Sequence, residues 1–302
     1  MKKSIDDLLD LLQQGIREVL EGEQYCEYLK VMARFPSYSM KNTMLIYQQC
    51  PQATMVAGYQ TWSRIFGRHV KRGEKGIRIL APYTYKSKDR DDPDGEPVTR
   101  TGFRSISVFD ISQTEGRALP LPPKAELLEG GCDLFEQARI CLEKLTGFSI
   151  VCRPLEPDCN GQTFYTRQSI ELQEDLDEAH RFKTMLHECA HALMHAFQTQ
   201  DEQPAGYLGE LAAKAELREA EAESVCFVVC SALDIDCSGY SFPYIARWTG
   251  QSRLRPQSLE RISKTASQMI EALAPLRSDN KERSGATGLA EKEILETGSS
   301  AG

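Results

Sequence analysis

Several things are scarce or missing in this 302-residue chain, and each absence excludes something. No apolar run approaches the 18 or more residues of a bilayer-crossing helix, so a helical membrane protein is excluded. The first residues, Met1 to Asp7, turn acidic at once and contain no continuous apolar segment, which argues against a secretory leader and for a cytoplasmic protein. Among the ten cysteines no pair is spaced C-x-x-C, and Cys141, Cys189, Cys226 and Cys230 fall inside helical patterns. Scattered thiols of this kind read as reduced core residues of a cytosolic protein, not as a disulfide framework. No internal repeat is visible, so a solenoid is excluded. Histidine is rare, with five in the whole chain. Acid is nearly absent from one window: between Tyr28 and Lys88 eleven Lys and Arg face a single acid, Glu74, although the chain as a whole carries a net charge of −8.

Three of those five histidines lie within Phe182-Lys-Thr-Met-Leu-His-Glu-Cys-Ala-His-Ala-Leu-Met-His195. There His187, Glu188 and His191 form H-E-x-x-H. An α-helix turns once in 3.6 residues, so His187 and His191 stack on one face, where two imidazoles can hold one Zn²⁺. Glu188 is offset by about 100°, placed to serve as a proton acceptor and not as a ligand. Phe182, Leu186, Ala190, Leu193 and Phe197 recur at helical spacing, and neither Pro nor Gly interrupts them, which predicts a helix. A zinc centre of this type needs a third protein ligand. The next helical stretch, Leu211 to Leu233, offers Glu219, Glu221 and Glu223. Leu217, Glu221, Val225, Val228 and Ala232 share one stripe, so Glu221 is the acid that interrupts an apolar row. A buried carboxylate is costly unless paired or bound to metal, which favours Glu221 as the ligand and leaves Glu219 and Glu223 on a solvated edge.

The basic window is the electrostatic footprint of a module that binds a polyanion. Arg64, Arg68, Lys71, Arg72, Lys75 and Arg78 crowd together in it, and aromatic residues including Trp62 are interleaved with them. Bases of single-stranded nucleic acid stack on aromatic faces while Lys and Arg follow the phosphates. Short strand and helix patterns around this block predict a small α+β domain over 1–118. Gly116-Arg-Ala-Leu-Pro-Leu-Pro-Pro-Lys124 reads as a Pro-rich linker, assigned to 119–125. A mainly helical domain with a short β-sheet follows over 126–276, and 277–302 has the Ser, Gly, Glu and Lys composition of a disordered tail.

Tyr59-x-x-Trp62, Val70-Lys-Arg-Gly-Glu-Lys-Gly76 and Val108-Phe-Asp-Ile-Ser-Gln-Thr114, within Asn42 to Gln113, resemble the N-terminal domain of ArdC-type antirestriction proteins. That resemblance implies single-stranded-DNA binding in proteins carried by mobile elements. Gly161 to Asp236 resembles the zinc-metallopeptidase half of the same proteins, and is similar to the ImmA/IrrE and SprT-like peptidases, which implies a zincin-like domain. Carried over residue by residue, it implies that His187, His191 and Glu221 hold zinc and that Glu188 is the base; Glu221-Ala222 matches the ligand motif, with Glu219-Ala220 as the other register. The expectation is a zinc endopeptidase tethered to a single-stranded-DNA-binding domain, cutting a protein substrate on DNA during transfer of a mobile element. The rival readings are a non-enzymatic strand-coating protein that keeps the zinc fold as structure, and a regulatory protease that cuts a repressor.

Overall fold

A computed structural model describes residues 5–21, 24–87, 98–119, 133–196, 208–235 and 254–276, with backbone alone for 133–134 and 208–214. Beyond Leu119, the Pro-rich linker lies outside the described residues, as do Phe197, the loop around Pro204 and the 277–302 tail. The chain is mixed α+β and divides into two units. One gathers Met1–Gly15 and Lys41–Leu121, the other Ile16–Met40 and Pro122–Ser278. A boundary drawn along the chain at the Pro-rich stretch therefore misses the fact that residues 16–40 fold with the second unit.

The N-terminal helices are α1 (Ile5–Glu21), α2 (Tyr25–Arg34) and α3 (Met40–Gln49). In the first unit, β1 (Val56–Gly58), β4 (Val98–Asp110) and β3 (Ile77–Ser87) form an antiparallel sheet in the order β1-β4-β3. A second antiparallel pair joins β2 (Arg68–Val70) to β5 (Thr114–Gly116). Helix α4 (Tyr59–Arg64) follows β1 directly and supplies Trp62 to a core of Ala57, Trp62 and Phe66, with Val70, Phe109 and Ile111 around it. The edge of β3 is protected by side chains. Asn42 both donates to and accepts from the backbone of Leu80, at 2.9 Å each way, and Gln49 does the same with Arg78 at 2.8 and 3.0 Å. Two amides seven residues apart on α3 thus imitate a neighbouring strand and satisfy an edge that is otherwise open to pairing.

The Val108–Thr114 stretch is a set of fasteners. Buried Asp110 accepts from the backbone N–H groups of Thr54, Met55 and Ser112. Gln113 accepts from Asp110 N–H and donates to Glu74 and to the Lys75 carbonyl. The glycine turn at 71–76, where Gly73 has φ +89°, is closed by these bonds and by Lys71 N–H to the Gln113 carbonyl. Gly suits that φ because it has no Cβ to clash.

In the second unit, β6 (Ser149–Arg153), β8 (Ser169–Gln173) and β7 (Gly161–Phe164) form a sheet in the order β6-β8-β7, parallel between β6 and β8 and antiparallel between β7 and β8. Helix α5 (Asp133–Thr146) precedes it. Helix α6 (Glu178–His195) follows it, capped by Asp177, whose carboxylate accepts from His180 N–H at 2.9 Å. Then come α7 (Leu208–Ala232) and α8 (Pro256–Leu273). Helices α2, α6 and α8 all pack on α7, so every residue from Ala220 to Cys230 is buried. Tyr25 of α2 is fully buried there, its hydroxyl 2.8 Å from Ser224 Oγ.

Candidate metal centre

His187 and His191 project from α6 one turn apart, with ring centroids 4.8 Å from each other. They meet Glu219, which α7 presents from the opposite side. His187 Nε2 lies 3.1 Å from His191 Nε2 and 3.2 Å from Glu219 Oε2, and His191 Nε2 lies 3.3 Å from Glu219 Oε1. Donors about 2.0–2.1 Å from one tetrahedral ion are separated by about 3.3–3.4 Å, so this triangle has the size a divalent cation requires. Among the described residues, His187, His191 and Glu219 are the group of His, Cys, Asp and Glu close enough to share an ion. Glu219 is half-exposed, at 54% of its side chain, which leaves the centre accessible from solvent. The donors are two imidazole nitrogens and a carboxylate, a set that suits Zn²⁺ and other first-row divalent ions.

The acid that the structure brings to the two imidazoles is Glu219 and not Glu221. The face argument correctly put Glu221 in the interior, where it is 1% exposed, but its partners there are different. Its Oε2 is 3.3 Å from His195 Nε2, and its Oε1 accepts from Arg261 on α8. Glu223 also departs from expectation. It is not on a solvated edge: its side chain is 10% exposed, with one oxygen 3.2 Å from His187 Nδ1 and the other 2.9 Å from Lys183 Nζ. A stripe cannot rank these three acids, because every residue from Ala220 to Cys230 is buried, so Glu221 and Glu223 are both interior, while the half-exposed Glu219 still reaches the histidines.

The electrostatics follow from this packing. Burial alone would lower the pKa of His187, but the carboxylates of Glu219 and Glu223 outweigh it and raise the value to about 10. Burial works against ionisation of Glu219, yet hydrogen bonds from His187 and His191 hold its carboxyl well below the usual range. The Glu221 carboxyl is likewise held down despite burial, by His195, Ser258 and Arg261. For His195 burial wins and the pKa falls.

Glu188 is buried beside the pair, 8% exposed. The Thr163 hydroxyl of β7 lies 2.7 Å from Glu188 Oε2 and 3.1 Å from the Glu188 carbonyl, tying the side chain to the strand. This closeness depends on Gly161: a Cβ there would meet Thr184 Cγ2 at 2.7 Å and Glu188 Cγ at 3.0 Å. Tyr165, at the end of β7, has its pKa pushed up to about 12, first by burial, with the charges of Glu188 and Glu219 adding to the effect and Arg218 opposing it. Thr163, Tyr165 and Arg261 escape sequence reasoning because they are one-off residues without a pattern. His195 did carry a signal, the continuation of the i, i+4 spacing from His187 and His191.

The residues expected to bind DNA separate into two groups. Trp62 is wholly buried and donates its Nε1–H to the Phe109 carbonyl at 2.8 Å, so it is core and offers no face to a base. Arg68 spends its guanidinium on Thr114 and the Arg117 carbonyl, stapling β2 to β5. Arg78 binds Ser105 and Ser107 across the sheet. Arg64, Lys71, Arg72 and Lys75 remain exposed, although Lys71 Nζ also reaches the Ser112 carbonyl at 2.9 Å. Exposed rings lie elsewhere: Tyr83 and Tyr85 on β3, with centroids 5.8 Å apart and planes tilted by 34°, and Phe103 on β4. Tyr83 lies across Gly102, where a Cβ would strike its ring at 2.7 Å.

Residues 1–109 match the family model of the N-terminal domain of anti-restriction factor ArdC. This stretch is similar to an ArdC-type N-terminal domain. The fasteners Asp110 and Gln113 lie just past its end, and its α2 is the helix that folds into the second unit. Along 90% of its length the chain is 25% identical to the uncharacterized protein pXO2-81 of Bacillus anthracis, and it spans about half, 52%, of that relative. The crystal structure of the antirestriction protein ArdC from plasmid R388 in its Mn(II)-bound form superposes with a TM-score of 0.52 at 14% identity, covering 91% of this chain and 99% of that one. The metal-free form of the R388 protein gives 0.46 at 17% identity, covering 80% and 86%. The chain thus shares its mixed α+β fold with the Mn(II)-bound protein.

Proposed function

We propose that this chain is a metal-dependent endopeptidase joined to a single-stranded-DNA-binding domain, acting on proteins held on DNA in an antirestriction role. The observation that carries the reading is the convergence of His187, His191 and Glu219, at cation spacing, beside the buried carboxylate of Glu188. A divalent cation held there supplies Lewis acidity toward carbonyl and water oxygens. Glu188, next to His187 on the same helix, accepts the proton of the attacking water and returns it to the leaving amine. The Thr163 hydroxyl occupies its Oε2 and so presents Oε1 to that proton. Tyr165 keeps its proton across the working pH range and is a hydrogen-bond donor for a developing oxyanion. Strand β7 pairs with β8 among the described residues, and its other edge suits strand addition by a peptide.

The R388 protein was crystallised with Mn(II), while the donor set here fits Zn²⁺, so both ions belong in the test. Glu188→Gln should retain the cation by elemental analysis and lose cleavage of a general protein substrate such as casein by at least about a hundredfold. Cleavage by Glu188→Gln at the parent rate would reject the peptidase mechanism. Zn²⁺ or Mn²⁺ added after chelation should restore the parent.

The DNA half of the proposal rests on the four exposed basic residues and the tyrosine pair, in a domain similar to the ArdC type. Changing Lys71, Arg72 and Lys75 together to Ala should weaken single-strand binding and flatten its salt dependence, since each phosphate contact releases counterions. An unaltered salt slope would remove this loop from the interface.

A further inference from the structure

The two ligand imidazoles are held from behind by different means. His187 turns its Nδ1 to Glu223 directly, at 3.2 Å. His191 turns its Nδ1 to another imidazole, with His195 Nδ1 at 3.0 Å, and His195 Nε2 faces Glu221 at 3.3 Å. His195 is 0% exposed and Glu221 1%. The row ends on Arg261, which donates to the other oxygen of Glu221.

With both imidazoles neutral, only one proton arrangement satisfies this row. A carboxylate accepts and cannot donate, so His195 must carry its hydrogen on Nε2. The positive charge that balances Glu221 is already supplied by Arg261. A second cation in a fully buried position would be unpaired, which makes His195 the neutral imidazole. Its Nδ1 is then an acceptor, and His191 must donate from its own Nδ1. That leaves a lone pair on His191 Nε2, the atom that faces His187 and Glu219. Reversing any one member would put a hydrogen on His191 Nε2 and turn the ligand into a donor.

We propose that Glu221, acting through His195, is a positioning residue that fixes the tautomer of His191, with Nδ1–H toward His195 and the Nε2 lone pair toward the cation. This rests on the metal centre described above. The three acids of α7 thus divide the work: Glu219 completes the centre, Glu223 orients one imidazole directly, and Glu221 orients the other through an intermediary. Partners that orient a ligand in this way typically change metal affinity by about 10–100-fold when removed.

The test uses the cation-free full chain with ¹⁵N-labelled histidine, in which five imidazoles give a spectrum simple enough to assign. Two-bond nitrogen–proton correlations should show His191 as the Nδ1–H form and His195 as the Nε2–H form. An Nε2–H form at His191 overturns the proposal without any variant, so it stays testable even if substitutions at the buried row prevent folding. In folded Glu221→Gln, where an amide can donate as well as accept, His191 should become a tautomer mixture. Affinity for Zn²⁺ and Mn²⁺ in chelator competition should fall about 10–100-fold. Parent tautomer and parent affinity in that variant would also overturn it. Glu219→Ala and His187→Ala separate this failure from failure of the centre itself. If both bind the two ions like the parent, the metal site is wrong; if both lose them while Glu221→Gln does not, only the relay is wrong.

Discussion

His187 shows how much chemistry one side chain inherits from its neighbours. Its pKa of about 10 means that the cation-free protein holds a proton there at pH 8, and this proton must leave when the nitrogen takes up a cation. Binding should therefore strengthen about tenfold per pH unit between pH 7 and 9, with about one proton released per ion, readable by calorimetry in buffers of differing ionisation heat. A pH-independent affinity would contradict the pairing with Glu219 and Glu223. The sign for folding is opposite. Because the folded value lies above the ordinary 6.5, the stabilisation from this pairing in the cation-free protein is complete below about pH 6.5 and is lost as the pH climbs through about 10. At this scale the sequence revealed the histidines and Glu188, because H-E-x-x-H has a fixed spacing on a helix. It could not choose among Glu219, Glu221 and Glu223. That choice depends on which side chains of α6 and α8 each acid meets, and helix–helix contacts are long-range.

At the scale of elements, the β3–β4 ribbon does two jobs with one pair of strands. Near Leu80 it is locked by Asn42 and Gln49, and farther along it carries exposed rings. Base stacking on an aromatic ring is worth about 1–3 kcal/mol. Replacing Tyr83 and Tyr85 with Ala should weaken single-strand affinity about tenfold or more by fluorescence anisotropy while leaving the unfolding midpoint nearly unchanged. Equal affinity in that variant would place the strand elsewhere. Most elements were legible as patterns: the α6 stripe through Phe182, Leu186 and Ala190, and the alternation in β4. The β2–β5 pair was not, since three-residue strands are too short to show a period, and β6 gave no hint that its partner β8 runs parallel. Trp62 misled for a related reason. An aromatic within a basic block has the same letters whether its ring faces solvent or the Phe109 carbonyl.

At the scale of the molecule, residues 16–40 and 122–278 fold together although Lys41–Leu121 lies between them. The Lys41–Leu121 segment of the first unit is, in chain order, inserted into the second, while Met1–Gly15 of the first unit precedes both. A fragment of residues 122–278 would lack α2 and leave part of α7 uncovered, including Ser224, the partner of Tyr25. Such a fragment should unfold at a markedly lower denaturant midpoint than the second unit within the whole chain, and adding residues 16–40 as a separate peptide should recover part of the difference. Equal midpoints would show that α2 contributes nothing. The mixed α+β class was visible in the sequence, whereas this threading was not, because α2 has an ordinary amphipathic pattern that does not say which body it covers.

The packing of α2 on α7 also governs what a single backbone cut can do. A protease that severs the chain in the Pro-rich stretch leaves Tyr25 and Ser224 on separate polypeptides, yet still in the same folded body. The two pieces should travel as one species through a sizing column and part only in denaturant. Loss of the connecting peptide would be silent in a native assay and visible only on a denaturing gel.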